Sequence, residues 1–186
     1  MHKATAYNLL LMAKFEITAR IPMRPYLLKY VRTIENLEDE EVLDLHRNGL
    51  LPYLLQWLVG TKADLLSSMR QYKDGNKQAT IREQFTGQLP VKITRRMEKH
   101  WRMYWTAESI FMFDRLVHKH FHDTLGVKIL EGIQQGQNEK DVIEGFLRSC
   151  GITEDDIGFD SVKKAATRWR NDKKIADLNS QKCPQG

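Results

Sequence analysis

A chain of 186 residues and 21.8 kDa has room for one domain or one and a half, and can bury a core without disulfides or metals. With 41% hydrophobic and 28% charged residues it is neither a disordered chain nor a membrane-embedded one. Its 29 basic and 24 acidic side chains leave a net charge of +5, which suits a polyanionic partner without demanding one.

Residues 1–11 superficially resemble a signal sequence, but the apolar stretch is short and no small-residue cleavage site follows, so they read as a poorly structured extension. From Lys14 to Ile21 the pattern alternates, with Phe15, Ile17, Ala19 and Ile21 on one face. This predicts a half-buried strand closed by Pro22 and Pro25. Tyr26, Leu27, Tyr30, Val31 and Ile34 predict a helix from about Pro25 to Ile34. Glu38–Glu41 would open another helix, where acids complement the dipole, or form a solvated face. A third helix is expected from about Pro52 to Tyr72, with a break at Gly60 and a turn at 73–77. The apolar run Leu50–Val59 at its start is too short to span a bilayer and contains Pro52, so no membrane partner is expected. A second strand near 89–95 could pair with the first as an antiparallel ribbon against the helices. Thr106 is an N-cap, and Ile110, Phe113, Val117, Phe121 and Leu125 form the strongest helical stripe, which Gly126 is expected to end.

Residues 126–174 then predict three short helices. The first spans about 127–135. The second starts after the N-cap Asn138, carries Val142, Ile143, Phe146 and Leu147, and stops at Gly151. Thr153–Ile157 makes a capped turn. The last helix runs from near Asp160 to about Lys174. Its Val162, Ala165, Ala166 and Trp169 line one side, and Lys163, Lys164, Thr167, Arg168, Arg170, Asn171 and Lys174 cover the rest. An apolar face anchors such a helix, while Lys163, Lys164 and Lys174 suit phosphates and Arg168 and Arg170 suit base edges. The competing reading is an ordinary solvated basic face.

Asn138–Gly151 followed by Phe159–Asn171 resembles the helix-turn-helix domains of DNA-binding proteins from bacteria and phages. The link from Gly151 to Gly158 is longer than the turn of that motif and carries three acids. The rest of the chain is loosely similar to accessory proteins of phages and mobile elements. The resemblance implies double-stranded DNA as partner and a role as a transcriptional regulator or a replication or recombination accessory factor.

A second basic cluster, Lys92, Arg95, Arg96, Lys99 and Arg102 with His100, is interleaved with Trp101, Tyr104 and Trp105, and residues 91–102 sum to +4 before His100 is counted. Cations beside aromatics can grip a phosphate backbone, although such aromatics also serve as core anchors. A third reading pairs the first strand with that of a second copy to form a ribbon for the major groove, with Lys14, Glu16, Thr18 and Arg20 outward. His118, His120 and His122 read as solvated or phosphate-facing side chains, with buried structural roles as the alternative; a zinc site using His118 and His122 would need Asp114 or Asp123. Glu154, Asp155 and Asp156 read as a helical turn rather than metal-holding acids. No phosphate-cradling or nucleophile-elbow motif is present, so no cofactor, metal or catalytic residue is expected and the chain reads as non-enzymatic. Cys150 and Cys183 fit a reducing cytoplasm.

The expected fold class is therefore α+β, mainly α: a helical body with at most a small two-stranded ribbon and a C-terminal three-helix module of helix-turn-helix type. The expected boundaries are 1–11 for the extension, 12–125 for the body with strands near 14–21 and 89–95, 126–175 for the module and 176–186 for a flexible tail. The alternative function is a protein–protein adaptor or structural interaction protein of a phage or mobile element, using Leu50–Val59, Trp101, Tyr104 and Trp105 as hot spots. A homodimer fits either function.

Overall fold

A computed structural model describes residues 16–45, 48–58, 83–94 and 107–182. The fold is α+β and mainly α, with elements in the order β1 (Glu16–Met23), α1 (Pro25–Glu35), β2 (Leu43–Asp44), α2 (Leu50–Leu58), β3 (Gly87–Thr94), α3 (Ala107–Gln134), α4 (Glu139–Ser149) and α5 (Phe159–Lys182). The chain divides into two units, the first Met1–Arg24 with Glu35–Asp114, the second Pro25–Ile34 with Arg115–Gly186.

The first unit holds the sheet, in strand order β1-β3-β2. β1 and β3 are antiparallel, with Ile17 opposite Ile93, Ala19 opposite Val91 and Ile21 opposite Leu89. Paired residues of neighbouring strands share a face of the sheet, so the alternation lines up Ala19 and Ile21 with Val91 and Leu89, and Ile21, Leu89 and Val91 are essentially inaccessible. The strand does not stop at Pro22. β1 is an edge strand, where a residue without an N–H costs little, and Pro22 pairs with Gln88. Along all eight residues one edge of β1 is matched within the chain by β3. The ribbon gains a third, parallel strand: Leu43 and Asp44 pair with Val91 and Lys92.

Glu38–Glu41 are exposed, the solvated face that is one of the two readings, and β2 corrects the other, a helix start. These acids form a turn, with Glu41 N donating to the Glu38 carbonyl at 3.1 Å, and Glu40 at φ 67°. The buried Leu43 and Leu45 that follow alternate with Asp44, so the period is that of a strand. Asn36 ends α1 in the left-handed region at φ 50°, a C-cap role asparagine tolerates. Of the helix expected over 52–72, α2 begins at Leu50 and buries Leu51 and Leu55; residues beyond 58 lie outside the described residues, as do 1–15, the N-cap Thr106 and Cys183. Within this unit Arg24 forks onto the buried Asp114, with Nε at 3.2 Å from Oδ1 and Nη2 at 2.5 Å from Oδ2.

The second unit is helical. Phe121 sits among Tyr26, Tyr30 and Phe146 at ring-centroid separations of 5.6, 5.2 and 5.5 Å. Around it Val117, Leu125, Ile143 and Val162 are fully buried. α3 runs unbroken through Gly126, so the module boundary expected at 126 falls inside a helix and the expected helix 127–135 is the end of α3. Gly126 serves close packing instead: a Cβ there would lie 2.4 Å from Cδ2 of Trp169, so the indole rests on bare backbone. α3 and α4 both end in Schellman motifs. Gln137 N reaches the Gly132 carbonyl at 2.9 Å and Ile152 N the Leu147 carbonyl at 2.9 Å, with Gly136 and Gly151 at φ 76° and 64°. Asn138 caps α4 as expected, its side chain accepting from Lys140 N at 3.0 Å. α5 extends to Lys182, through part of the segment expected as a tail. Burial pushes the Cys150 thiol up, more than hydrogen bonds with Ser149 and Thr33 draw it down. No helix among the described residues is long and apolar enough to cross a membrane.

Candidate nucleic-acid interface

α5 sorts its residues by face. Val162 and Ala166 are buried and Ala165 and Trp169 half-buried, while Lys163, Lys164, Thr167, Arg168 and Asn171 are exposed. At 3.6 residues per turn these five span roughly 140° of the helix circumference, an arc that the exposed Asp160 shares. Thr167 donates its hydroxyl to the Lys163 carbonyl at 3.0 Å, leaving its oxygen as an acceptor.

Arg170 departs from expectation. It pairs with Glu139 in the first turn of α4 at 2.5 Å, and both side chains are about three-quarters covered. The pair ties α5 to α4, so Arg170 holds the helix in place rather than presenting a fork to a base edge. Lys174 continues α5 beyond the last described side chain. Lys92 is half-buried and lies 4.0 Å from Asp44 on the neighbouring strand. Arg95, Arg96, Lys99 and Arg102, with the aromatics between them, lie outside the described residues.

Two of the three acids of the α4–α5 link, Glu154 and Asp156, are engaged by the fold, and Asp155 is exposed. Glu154 accepts from Phe159 N at 3.3 Å and so caps α5. Asp156 accepts from Thr153 N at 2.8 Å, from the Thr153 hydroxyl at 2.9 Å and from Lys29 at 2.6 Å. Burial pushes the Asp156 carboxyl up, but Lys29 and the two Thr153 donors outweigh it and hold the group below its usual range. A depressed carboxyl stabilises the fold fully above its unfolded value of 3.8, and that contribution is lost as pH falls through the lower folded value. Asp156→Asn is therefore expected to flatten the acid limb of stability. Urea unfolding between about pH 2.5 and 7 checks this: wild type should lose more stability than the variant as pH drops below the unfolded value.

His118 and His120 take the structural alternative rather than the solvated one. Nδ1 of His118 lies 2.7 Å from the Tyr26 hydroxyl, and Nδ1 of His120 lies 2.7 Å from that of Tyr30, which also meets the Thr124 hydroxyl at 2.9 Å. Burial pushes the Tyr30 phenol up, against the Thr124 hydrogen bond that lowers it. These pairs satisfy phenols that α1 buries on Phe121, so His118 and His120 serve packing and are not simply solvated. The sequence signal was Tyr26 and Tyr30 at i, i+4 in a buried stripe, since each hydroxyl needed a partner. His122 lies edge-on to His118 at 4.4 Å. Among the described residues no group of three or more His, Cys, Asp or Glu is placed to hold a metal ion.

Between α3 and α5 lies a cleft of about 610 Å³ whose walls include His118, Lys119, His122, Arg168, Trp169 and Asp172. Trp169 donates its indole N–H to Asp123 at 2.8 Å, and Lys119 holds the other carboxylate oxygen of Asp123 at 2.5 Å. Arg168 belongs to this cleft and also to a shallow groove with Asp160, Lys163, Lys164 and Thr167 on the outer face of α5. The arrangement offers exposed cations on a helix anchored by its buried face and, beside them, an indole in the cleft wall. Comparison with family models, curated proteins and solved structures gives no match, so these residues stand on their own chemistry.

Proposed function

We propose that the protein is a non-enzymatic binder of double-stranded DNA, acting as a transcriptional regulator or as a replication or recombination accessory factor. The observation that supports this reading is the outer face of α5. Lys163, Lys164, Arg168, Thr167 and Asn171 are exposed together on a helix fixed by Val162, Ala166 and the Arg170–Glu139 pair. Lysines and arginines in that pattern neutralise phosphates and release counterions, while Thr and Asn supply neutral hydrogen bonds. Glu154 and Asp156, whose charge would oppose docking, are turned to capping and to Lys29.

The test is fluorescence anisotropy on a random-sequence duplex at about 50 and 200 mM salt. Lys163, Lys164 and Arg168 changed together to Ala should weaken binding roughly 10- to 100-fold. The salt slope should fall by about 2.7, at about 0.9 per phosphate contact. Unchanged affinity and slope would sink the reading.

A second reading, a protein–protein adaptor, is favoured by exposed apolar side chains. Leu50 and Tyr53 on α2 are 53% and 67% exposed, and Val127, Leu130 and Ile133 on α3 are 41–47% exposed. Its partner would be captured with little dependence on salt.

A further inference from the structure

We propose that the cleft between α3 and α5 binds a nucleotide, with the base against Trp169 and the phosphate on Arg168 and Lys119. This deepens the nucleic-acid reading and rests on it. A volume of about 610 Å³ lies within the range that accommodates small organic ligands, roughly 300–1,000 Å³.

The wall is preorganised. Trp169 is held along its edge by the 2.8 Å bond to Asp123 and from one face by Gly126. The ring-fusion carbon Cδ2 would be the atom nearest to a Cβ at Gly126, and that carbon is approached only from the face of the ring. A base meeting this indole finds it already ordered, so little rotamer entropy is lost on stacking.

The charges have complementary roles. Lys119 and Arg168 enter from opposite walls, on α3 and α5 respectively. The Asp123 carboxylate is already taken up by the Trp169 N–H and Lys119. His118, His122, Ala165 and the carboxylates of Asp123 and Asp172 complete a wall whose ligand-binding groups are one indole, a fork-shaped cation and an ammonium. A ligand that uses all of these has both a flat ring and an anionic group. Inorganic phosphate uses only the cations, and a nucleoside only the ring. Arg168 also connects the cleft to the outer groove of α5, so an unpaired nucleotide of a strand tracking that groove lies within its reach.

The experiment uses the full chain and follows the Trp169 indole N–H by two-dimensional NMR, assigned with Trp169→Phe. The probes are dAMP, deoxyadenosine, inorganic phosphate, a short single-stranded oligothymidylate and a duplex. Expected are a progressive shift of the Trp169 signal by dAMP, with Kd on the order of 0.1–1 mM, and binding at least about tenfold weaker for deoxyadenosine and for phosphate. Arg168→Gln, a change at an exposed position that leaves the Trp169 anchor intact, should weaken dAMP about tenfold. An unmoved indole signal at about 5 mM dAMP, or phosphate binding as tightly as dAMP, overturns the proposal. Should the duplex still bind with its expected salt slope in that case, the DNA-binding reading stands and only the cleft falls. Binding of dAMP without binding of the duplex does the reverse: it removes the duplex reading and keeps the cleft as a nucleotide site. An oligothymidylate that moves the same signal identifies an unpaired strand as the source; a response to dAMP alone identifies a free nucleotide.

Discussion

Gly126→Ala is expected to destabilise the protein by about 2–3 kcal/mol, although alanine is the better helix former by about 1 kcal/mol. The new Cβ would lie 2.4–2.7 Å from three ring carbons of Trp169, well inside contact distance. The indole cannot swing aside without losing its bond to Asp123, worth about 1.5–3 kcal/mol to a charged acceptor. Overpacking and the lost bond together exceed the gain in propensity. Gly145→Ala supplies the contrast. That glycine is exposed within α4 and a Cβ there meets nothing within 4 Å, so the substitution should stabilise by about 0.5–1 kcal/mol. Urea unfolding of both variants gives the signs. In a Trp169→Leu background the cost of Gly126→Ala should largely vanish; an undiminished cost there would place the effect somewhere other than the indole.

The largest loss is expected at Arg24. Arg24→Met should cost about 3–5 kcal/mol, because it strands the carboxylate of Asp114, which is only 3% exposed. The guanidinium meets both carboxylate oxygens and the Arg24 amide adds a third, longer contact at 3.5 Å, a geometry that a lysine cannot copy. Removing both charges, with Arg24→Met and Asp114→Leu together, should cost less than Arg24→Met alone, since an apolar pair leaves no unpaired charge. Equilibrium unfolding of the two single variants and the double variant measures this. A double variant as unstable as the sum of the singles would mean that the two residues act independently.

The sequence was legible where one local rule decided the outcome. Ile17, Ala19 and Ile21 announced a strand by alternation, and Asn138 and Gly151 bracketed α4 because cap chemistry is local. It failed where a distant residue decided. Gly126 looks like a helix stop until Trp169, 43 positions on, is seen to need the space. Glu38–Glu41 look like a helix start until Leu43 finds Val91. His118 and His120 look like surface residues until Tyr26 and Tyr30 arrive from α1 needing hydrogen-bond partners. In the candidate interface, the face sorting of α5 followed from its period. The use of Arg170 by Glu139 did not, because an arginine on the margin of a basic face carries no local mark of its partner.

The buried thiol of Cys150 makes the second unit self-reporting. It is 6% exposed and its pKa is raised, so in the closed fold it is shielded from alkylating reagents and holds little thiolate. Labelling must then wait for the end of α4 to open. In a Cys183→Ser background, the modification rate across a denaturant series measures the free energy of that opening, much as amide exchange would, but from a single native atom. A ligand seated in the cleft between α3 and α5 would register at Cys150 as slower labelling, because whatever binds the closed unit alone makes its opening rarer.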